Sequence, residues 1–390
     1  MPSLSSRVDP LHNSVFAVLA KRMVGYTGER FPFHIGDNSV TPPAGALWPA
    51  VDHNALGAPY NYGHPGGEIP LREAIAEKLR SANGLPIEGA DQVQVSVGAT
   101  HAIACALQGL LDPGAEVLIL APYWPIFRGL AHCAAVVPTE VPFFQALLDD
   151  PDRDPAELIA PYIGANTRML YLISPNNPTG LVLSTAQLES IAALARKHDL
   201  WVLSDEAYEA YTYRDDRPHV SIGSLGSMAE RTLSVYTFSK TYAMAGTRMG
   251  YIAGPPEAMS AVRKVATHSV YNPAQVCQAA ALAALQSGQE FLRNARQTYL
   301  NHSRLVADQL DATFHPAQGG AYVFVDLREF GEDPISLLEQ AADLGVTLAP
   351  GEIFGREFKG YARFCYTAVD EARLSDGIGR FNQVLRAARG

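Results

Sequence analysis

Between Val93 and Val97 apolar and polar residues alternate, the period of a strand, and from Ala99 to Leu111 the apolar positions change to helical spacing. Glu116 to Leu120 is a short apolar run closed by Ala-Pro-Tyr-Trp-Pro. The same strand–helix–strand grammar recurs in Met169 to Ile173, Thr185 to His198 and Trp201 to Leu203, with further strands predicted at Leu233 to Tyr236 and Gly250 to Ala253. Strands alternating with helices predict an α/β fold with a mostly parallel sheet covered on both faces. Beyond Pro255 the pattern is helical through Gln286, and a long amphipathic stretch follows from Gln289 to Leu310. Apolar strands at Ala321 to Val325, Val346 to Ala349 and Ala362 to Tyr366, with helices near 334–344 and 371–388, read as a smaller α+β domain. The expected division is 1–50 as an N-terminal helix and extended segment packing with the small domain, 51–288 as the large domain and 289–390 as the small one. No internal repeat or low-complexity tract interrupts it.

Composition narrows the classes of partner. The 390 residues are 47% apolar and carry a formal net charge of −10, without a dense Lys/Arg run, so the footprint of a nucleic-acid binder is missing and small molecules are the expected ligands. Cys105, Cys133, Cys277 and Cys365 form no CxxC pair and have no histidine at metal-ligand spacing, so they are expected as buried thiols and no metal site is predicted. The start MPSLSSRVDPLHNS lacks the basic-then-apolar pattern of a signal peptide, and no apolar stretch reaches the ~18 residues of a membrane span, giving a cytoplasmic expectation.

Ligands of a parallel α/β sheet gather beyond the carboxyl ends of the strands, and four loops there are unusual. In Val97 to Ala102, VGATHA, a helix opens after Gly98 with free backbone N–H groups and the Thr100 hydroxyl, which suits either an anion or a plain cap. Ser174 to Gly180, SPNNPTG, fixes a turn around Asn176 and Asn177, which turn chemistry alone also explains. In SDEAYEAY, Asp205 closes an apolar run, as a helix cap or as a site carboxylate, with Tyr208 three residues on. In SVYTFSKTYAMAGTRMGYIAG, Lys240 sits among hydroxyls rather than charges, with Arg248 eight residues beyond it. A lysine amine attacks carbonyls once its surroundings favour the neutral form. Thr237, Ser239 and Arg248 offer two hydroxyls and a guanidinium fork suited to a phosphate. A Schiff-base lysine beside a phosphate site and an isolated carboxylate describes pyridoxal phosphate, whose protonated ring nitrogen makes it an electron sink.

These motifs, with YNYGHPGGEIPLREAIA, PYW and PGEIFG followed by ARFCY, resemble in order and spacing the class I/II aminotransferases of pyridoxal phosphate fold type I, in the branch of bacterial aspartate, aromatic, kynurenine and glutamine aminotransferases. The resemblance implies a large domain with a seven-stranded sheet between helices, a small α+β domain, and transfer of an amino group between an L-amino acid and a 2-oxo acid. It makes Lys240 the Schiff-base lysine and proton shuttle and sets Asp205 against the ring nitrogen. It places Asn177 and Tyr208 at the ring oxygen and Trp124 over the ring face, and gives the phosphate to Ala99, Thr100, Thr237, Ser239 and Arg248. Tyr62 matches the tyrosine that reaches the neighbouring subunit's phosphate, implying a homodimer. Arg363 aligns with the arginine that grips the substrate α-carboxylate, with Gly36 adding a backbone N–H.

Two departures bear on the substrate. Thr100 stands where aspartate-specific members often have a lysine, and Thr267 to Pro273, THSVYNP, contains no arginine or lysine for a distal carboxylate. A neutral or aromatic side chain is therefore expected, with His268 a candidate contact from the partner or a merely packed or solvated residue. A pyridoxal phosphate-dependent lyase, of the 1-aminocyclopropane-1-carboxylate synthase or C–S lyase kind, shares every motif and stays open. A ligand-sensing regulator is the remote alternative, lacking room ahead of the motifs for a DNA-binding domain.

Overall fold

The computed structural model describes residues 5–11, 22–57, 59–331 and 334–390. Seven strands build the large sheet: β1 (Val93–Ser96), β2 (Glu116–Ala121), β3 (Val137–Pro142), β4 (Thr167–Ile173), β5 (Trp201–Asp205), β6 (Thr232–Thr237) and β7 (Gly250–Ala253). Their order is β1-β7-β6-β5-β4-β2-β3, parallel throughout except for β7, which runs antiparallel to both β1 and β6. Four strands, β8 (Thr313–Phe314), β9 (Tyr322–Asp326), β10 (Ala349–Pro350) and β11 (Tyr361–Cys365), form an antiparallel sheet in the order β10-β11-β9-β8.

Strand alternation sends side chains to two cores. Val117, Ile119, Met169 and Tyr171 pack under the helices Gly98–Leu110 and Pro256–Ser269. Leu118, Leu120, Leu170 and Leu172 pack under the helix Thr185–Lys197 on the other face. That helix starts as its sequence dictates: the Ser184 hydroxyl accepts from the Gln187 N–H, and the Gln187 side chain reaches back to the Ser184 N–H. A third core joins Phe31 and Phe33 to Val323, Val325, Phe364 and Phe381 around the small sheet. Phe33 stacks on Phe364 with centroids 4.2 Å apart.

Three features differ from the expectation. β3, VPTEVP, is an edge strand that its prolines disguise; the Val137 N–H donates to the Ala115 carbonyl, so Pro138 and Pro142 face the open side of the ladder, where no donor is needed. Of the strand expected at Val346 to Ala349, Ala349 pairs with β11, together with Pro350 beyond it, while Val346 makes an isolated bridge to Phe31. Cys105 and Cys365 are buried as expected, whereas Cys277 is half-buried and Cys133 exposed on the outward end of its helix. Of the expected N-terminal helix and extended segment at 1–50, residues 1–4 and 12–21 lie outside the described residues.

Because β1, β2, β4, β5 and β6 point the same way, the loops after Ser96, Ala121, Ile173, Asp205 and Thr237 open on one edge of the sheet.

Candidate active site

At that edge lies a cavity of about 250 Å³ lined by Ala99, Thr100, Trp124, Asn177, Asp205, Tyr208, Thr237, Ser239, Lys240 and Arg248, with Ile126, Ile173, Ala207 and Ala245 completing its wall. The expected groups arrive on several elements. Asp205 ends β5, Thr237 ends β6 and accepts the Ser239 N–H at 3.1 Å, and Lys240 sits on the single helical turn Phe238–Thr241. Gly98, at φ +75°, begins the helix that carries Ala99 and Thr100; a Cβ there would lie 2.7 Å from an Arg248 guanidinium nitrogen. A Cβ on Gly250 would lie 2.7 Å from the Ala99 nitrogen, so β7 needs glycine to let that helix start approach. Arg248 adopts a left-handed φ of +54° and donates to the Ser239 hydroxyl at 3.4 Å and the Ala245 carbonyl at 2.8 Å.

The Lys240 ammonium donates to the Gly36 carbonyl, a neutral partner. Burial pushes its pKa down, and Arg363 and Arg248 push the same way against Cys365 and Asp37. Asp205 is buried and its carboxyl is pushed up to about 6, chiefly by burial with Glu206 adding, against a hydrogen bond from the Tyr171 hydroxyl at 2.9 Å and one from the Ala207 N–H at 3.2 Å. Both donors are neutral, so this carboxylate lacks the cation that a buried charge ordinarily requires. Glu206 next to it points elsewhere and is satisfied by His219, Ser221 and Tyr236; its carboxyl is held below the usual range despite burial.

Arg363 on β11 adjoins the cavity. Its guanidinium donates to Asn177 Oδ1 at 3.1 Å and to the His34 carbonyl at 2.6 Å, and it lies 4.3 Å from the Tyr322 ring centroid and 4.9 Å from that of Phe354. Its Nε is buried without a hydrogen-bond partner among the described residues. Tyr208 meets Tyr322 hydroxyl to hydroxyl at 2.8 Å. A Cβ on Gly36 would lie 2.1 Å from the Tyr322 hydroxyl, which accounts for that glycine.

Tyr62 stands apart from the cavity, 87% exposed, against Tyr271 with centroids 5.3 Å apart. His268 also lies outside it, exposed at the end of its helix, with Nδ1 2.8 Å from the Lys264 carbonyl. The residues that sequence reasoning missed are Tyr171, Tyr322, His34 and Asn38, whose amide donates to the Ser239 carbonyl at 2.8 Å. For Tyr171 a signal existed: a lone hydroxyl in the apolar strand MLYLI, which once buried needs a partner.

The groups present fit pyridoxal phosphate. Hydroxyls, a helix start and Arg248 make an anion cradle, the uncompensated Asp205 suits a protonated ring nitrogen, and a loosely protonated lysine stands between them.

Residues 32–381 match the family described as aminotransferase class I and II. The chain is 35% identical over 335 residues to the aspartate/prephenate aminotransferase of Thermus thermophilus, covering 84% of each chain. It is 33% identical to aromatic-amino-acid aminotransferase 2 of Thermococcus litoralis, covering 82% of each. Among solved structures, the aspartate aminotransferase from Thermus thermophilus with maleate superposes with a TM-score of 0.89 at 31% identity, over 98% of this chain and 100% of that one. With the fold, the cavity and these likenesses in agreement, the chain belongs to the class I and II aminotransferases, pyridoxal phosphate-dependent fold type I enzymes that transfer amino groups.

Proposed function

We propose that this aminotransferase prefers L-amino acids with neutral or aromatic side chains as donors, and that Lys240, Asp205 and Arg363 divide the work. The cofactor, when bound, supplies an electron sink that lowers the barrier to removing the substrate Cα proton. Lys240 is the residue that anchors the cofactor covalently and, with its amine neutral, moves that proton. Asp205 holds the proton on the ring nitrogen, and Asn177 and Tyr208 donate to the ring oxygen. Trp124 covers the ring face, and Ala99, Thr100, Thr237, Ser239 and Arg248 receive the phosphate. Arg363, already flattened between Tyr322 and Phe354, takes the α-carboxylate as a fork, with the Gly36 N–H beside it.

The observation that carries the substrate preference is the character of the wall. Beyond Lys240 and Arg248 the lining contributes no cation, and Trp124, Ile126, Ile173, Ala207 and Ala245 offer apolar surface. A second, distal carboxylate would be desolvated there without a partner, which costs orders of magnitude, whereas apolar donors are separated by only ~10 to 200-fold. The proposed active unit is a cytoplasmic homodimer with Tyr62 reaching the partner's phosphate site. Residues 1–50 go with a small domain, 289–390, and 51–288 form the cofactor domain; the shared core of Phe31 and Phe33 with Val325 and Phe381 supports this division.

Parallel steady-state assays with one common 2-oxo acid acceptor test the proposal. Glutamine, methionine and phenylalanine should each exceed aspartate in kcat/KM. An aspartate value above all of them would overturn the preference, and release of ammonia and pyruvate without a new amino acid would replace transfer by elimination.

A further inference from the structure

A second cleft, of about 600 Å³, lies beside the far end of the turn that carries Asn177. Its floor is apolar: Leu147 and Leu181 are buried and Leu148 and Leu300 half-buried. Three arginines line it, Arg214 and Arg217 from the loop after Tyr211 and Arg304 from the helix Gln289–Gln309, with His315 beside them. In a chain of net charge −10, no acidic residue lines it. Asp216 engages Arg214, and Asp149 lies 3.4 Å from His315. Arg217 donates to a neutral group, the Gln318 side-chain oxygen at 3.2 Å, with no ion pair among the described residues, and Arg304 is exposed.

Two guanidinium groups from separate elements, lining one cleft together with leucines, suit a multi-oxygen anion on an apolar body. Each fork can take separate oxygens of a phosphate while the tail displaces water from the leucines. We propose that this cleft binds a small phosphate monoester with an apolar substituent, gripped by Arg217 and Arg304, at a site separate from the catalytic cavity. A ligand bridging those residues would span the place where Gln318 ties three segments together. The Gln318 side-chain oxygen accepts from the Val182 N–H at 3.2 Å, its own N–H donates to the Gly180 carbonyl at 2.9 Å, and its carbonyl accepts from Tyr213 at 2.8 Å. Gly180 in turn donates to the Asn176 carbonyl at 2.8 Å, one residue from Asn177.

The test is calorimetric titration of the cofactor-loaded protein with hexyl phosphate, inorganic phosphate and 1-hexanol, alongside the Arg217→Ala/Arg304→Ala double variant. Hexyl phosphate should bind at least about tenfold more tightly than either fragment and at least about tenfold more weakly to the double variant, as loss of charge-assisted contacts requires. The visible absorbance of the bound cofactor should not change on titration. Undiminished binding to the double variant, equal binding of inorganic phosphate, or a spectral change placing the probe in the catalytic cavity would each overturn the assignment.

Discussion

The Lys240 amine is half-buried and the Asp205 carboxyl buried, and desolvation moves each toward its neutral form. For the amine this creates a nucleophile. Lys240→Ala should therefore fold but give no covalent cofactor adduct after borohydride reduction; peptide mapping that finds the adduct of the parent protein on another lysine would refute the assignment. For the carboxyl, burial costs stability that a protonated ring nitrogen would offset in the proposed role. A carboxyl at about 6 in the fold and in the ordinary range when unfolded binds more protons folded than unfolded between about pH 4 and 6. The cofactor-free protein should hold this stability below about pH 4 and lose it as pH rises through about 6, by ~2–3 kcal/mol. The gain in melting temperature on loading cofactor should consequently be larger at pH 8 than at pH 5. Asp205→Asn should flatten that difference and lower kcat by at least about a hundredfold, since several kcal/mol of ring-proton stabilisation disappear at about 1.4 kcal/mol per tenfold. A kcat within tenfold of the parent would remove Asp205 from the role.

At the scale of elements, the cavity depends on how closely β7 lets the start of helix Gly98–Leu110 approach. A Cβ on Gly250 would meet backbone on both sides, the Gly98 carbonyl carbon at 2.7 Å and the Tyr236 carbonyl oxygen at 2.8 Å, and backbone cannot rotate away. Gly250→Ala should cost ~1–3 kcal/mol or more and release cofactor faster, read by thermal melting and by dialysis against buffer; a variant that melts and retains cofactor like the parent would mean the approach is not tight. Elements with an uninterrupted apolar run were legible from sequence: β7 was bounded at Gly250 and Ala253, and β5 and β6 to within a few residues. β3 was not, because prolines at an edge erase the strand signal. The site divided on the same line. Lys240, Asp205 and Asn177 each sit in a short local motif that becomes decisive once the motifs are read together, whereas Tyr322 gains meaning from Tyr208, 114 residues away, and His34 from Arg363, 329 residues away. Such pairings come from chain topology, and no local pattern announces them.

For the whole molecule, Tyr62 is the residue whose proposed role needs a second copy. It is too exposed to stabilise its own subunit, so Tyr62→Ala should leave the unfolding free energy within about 0.5 kcal/mol of the parent while weakening cofactor retention. Retention unchanged in a dimer confirmed by light scattering would take Tyr62 out of the site. Protein concentration also brings into view the free edge of the large sheet. The side of β3 turned away from β2 is the row Pro138, Glu140, Pro142. Pro138 and Pro142 have no N–H to offer, which leaves Glu140 as the backbone donor of this row. A stray strand from another molecule would meet a single backbone donor along that row, so the prolines that mask β3 in the sequence disfavour pairing between sheets at this edge.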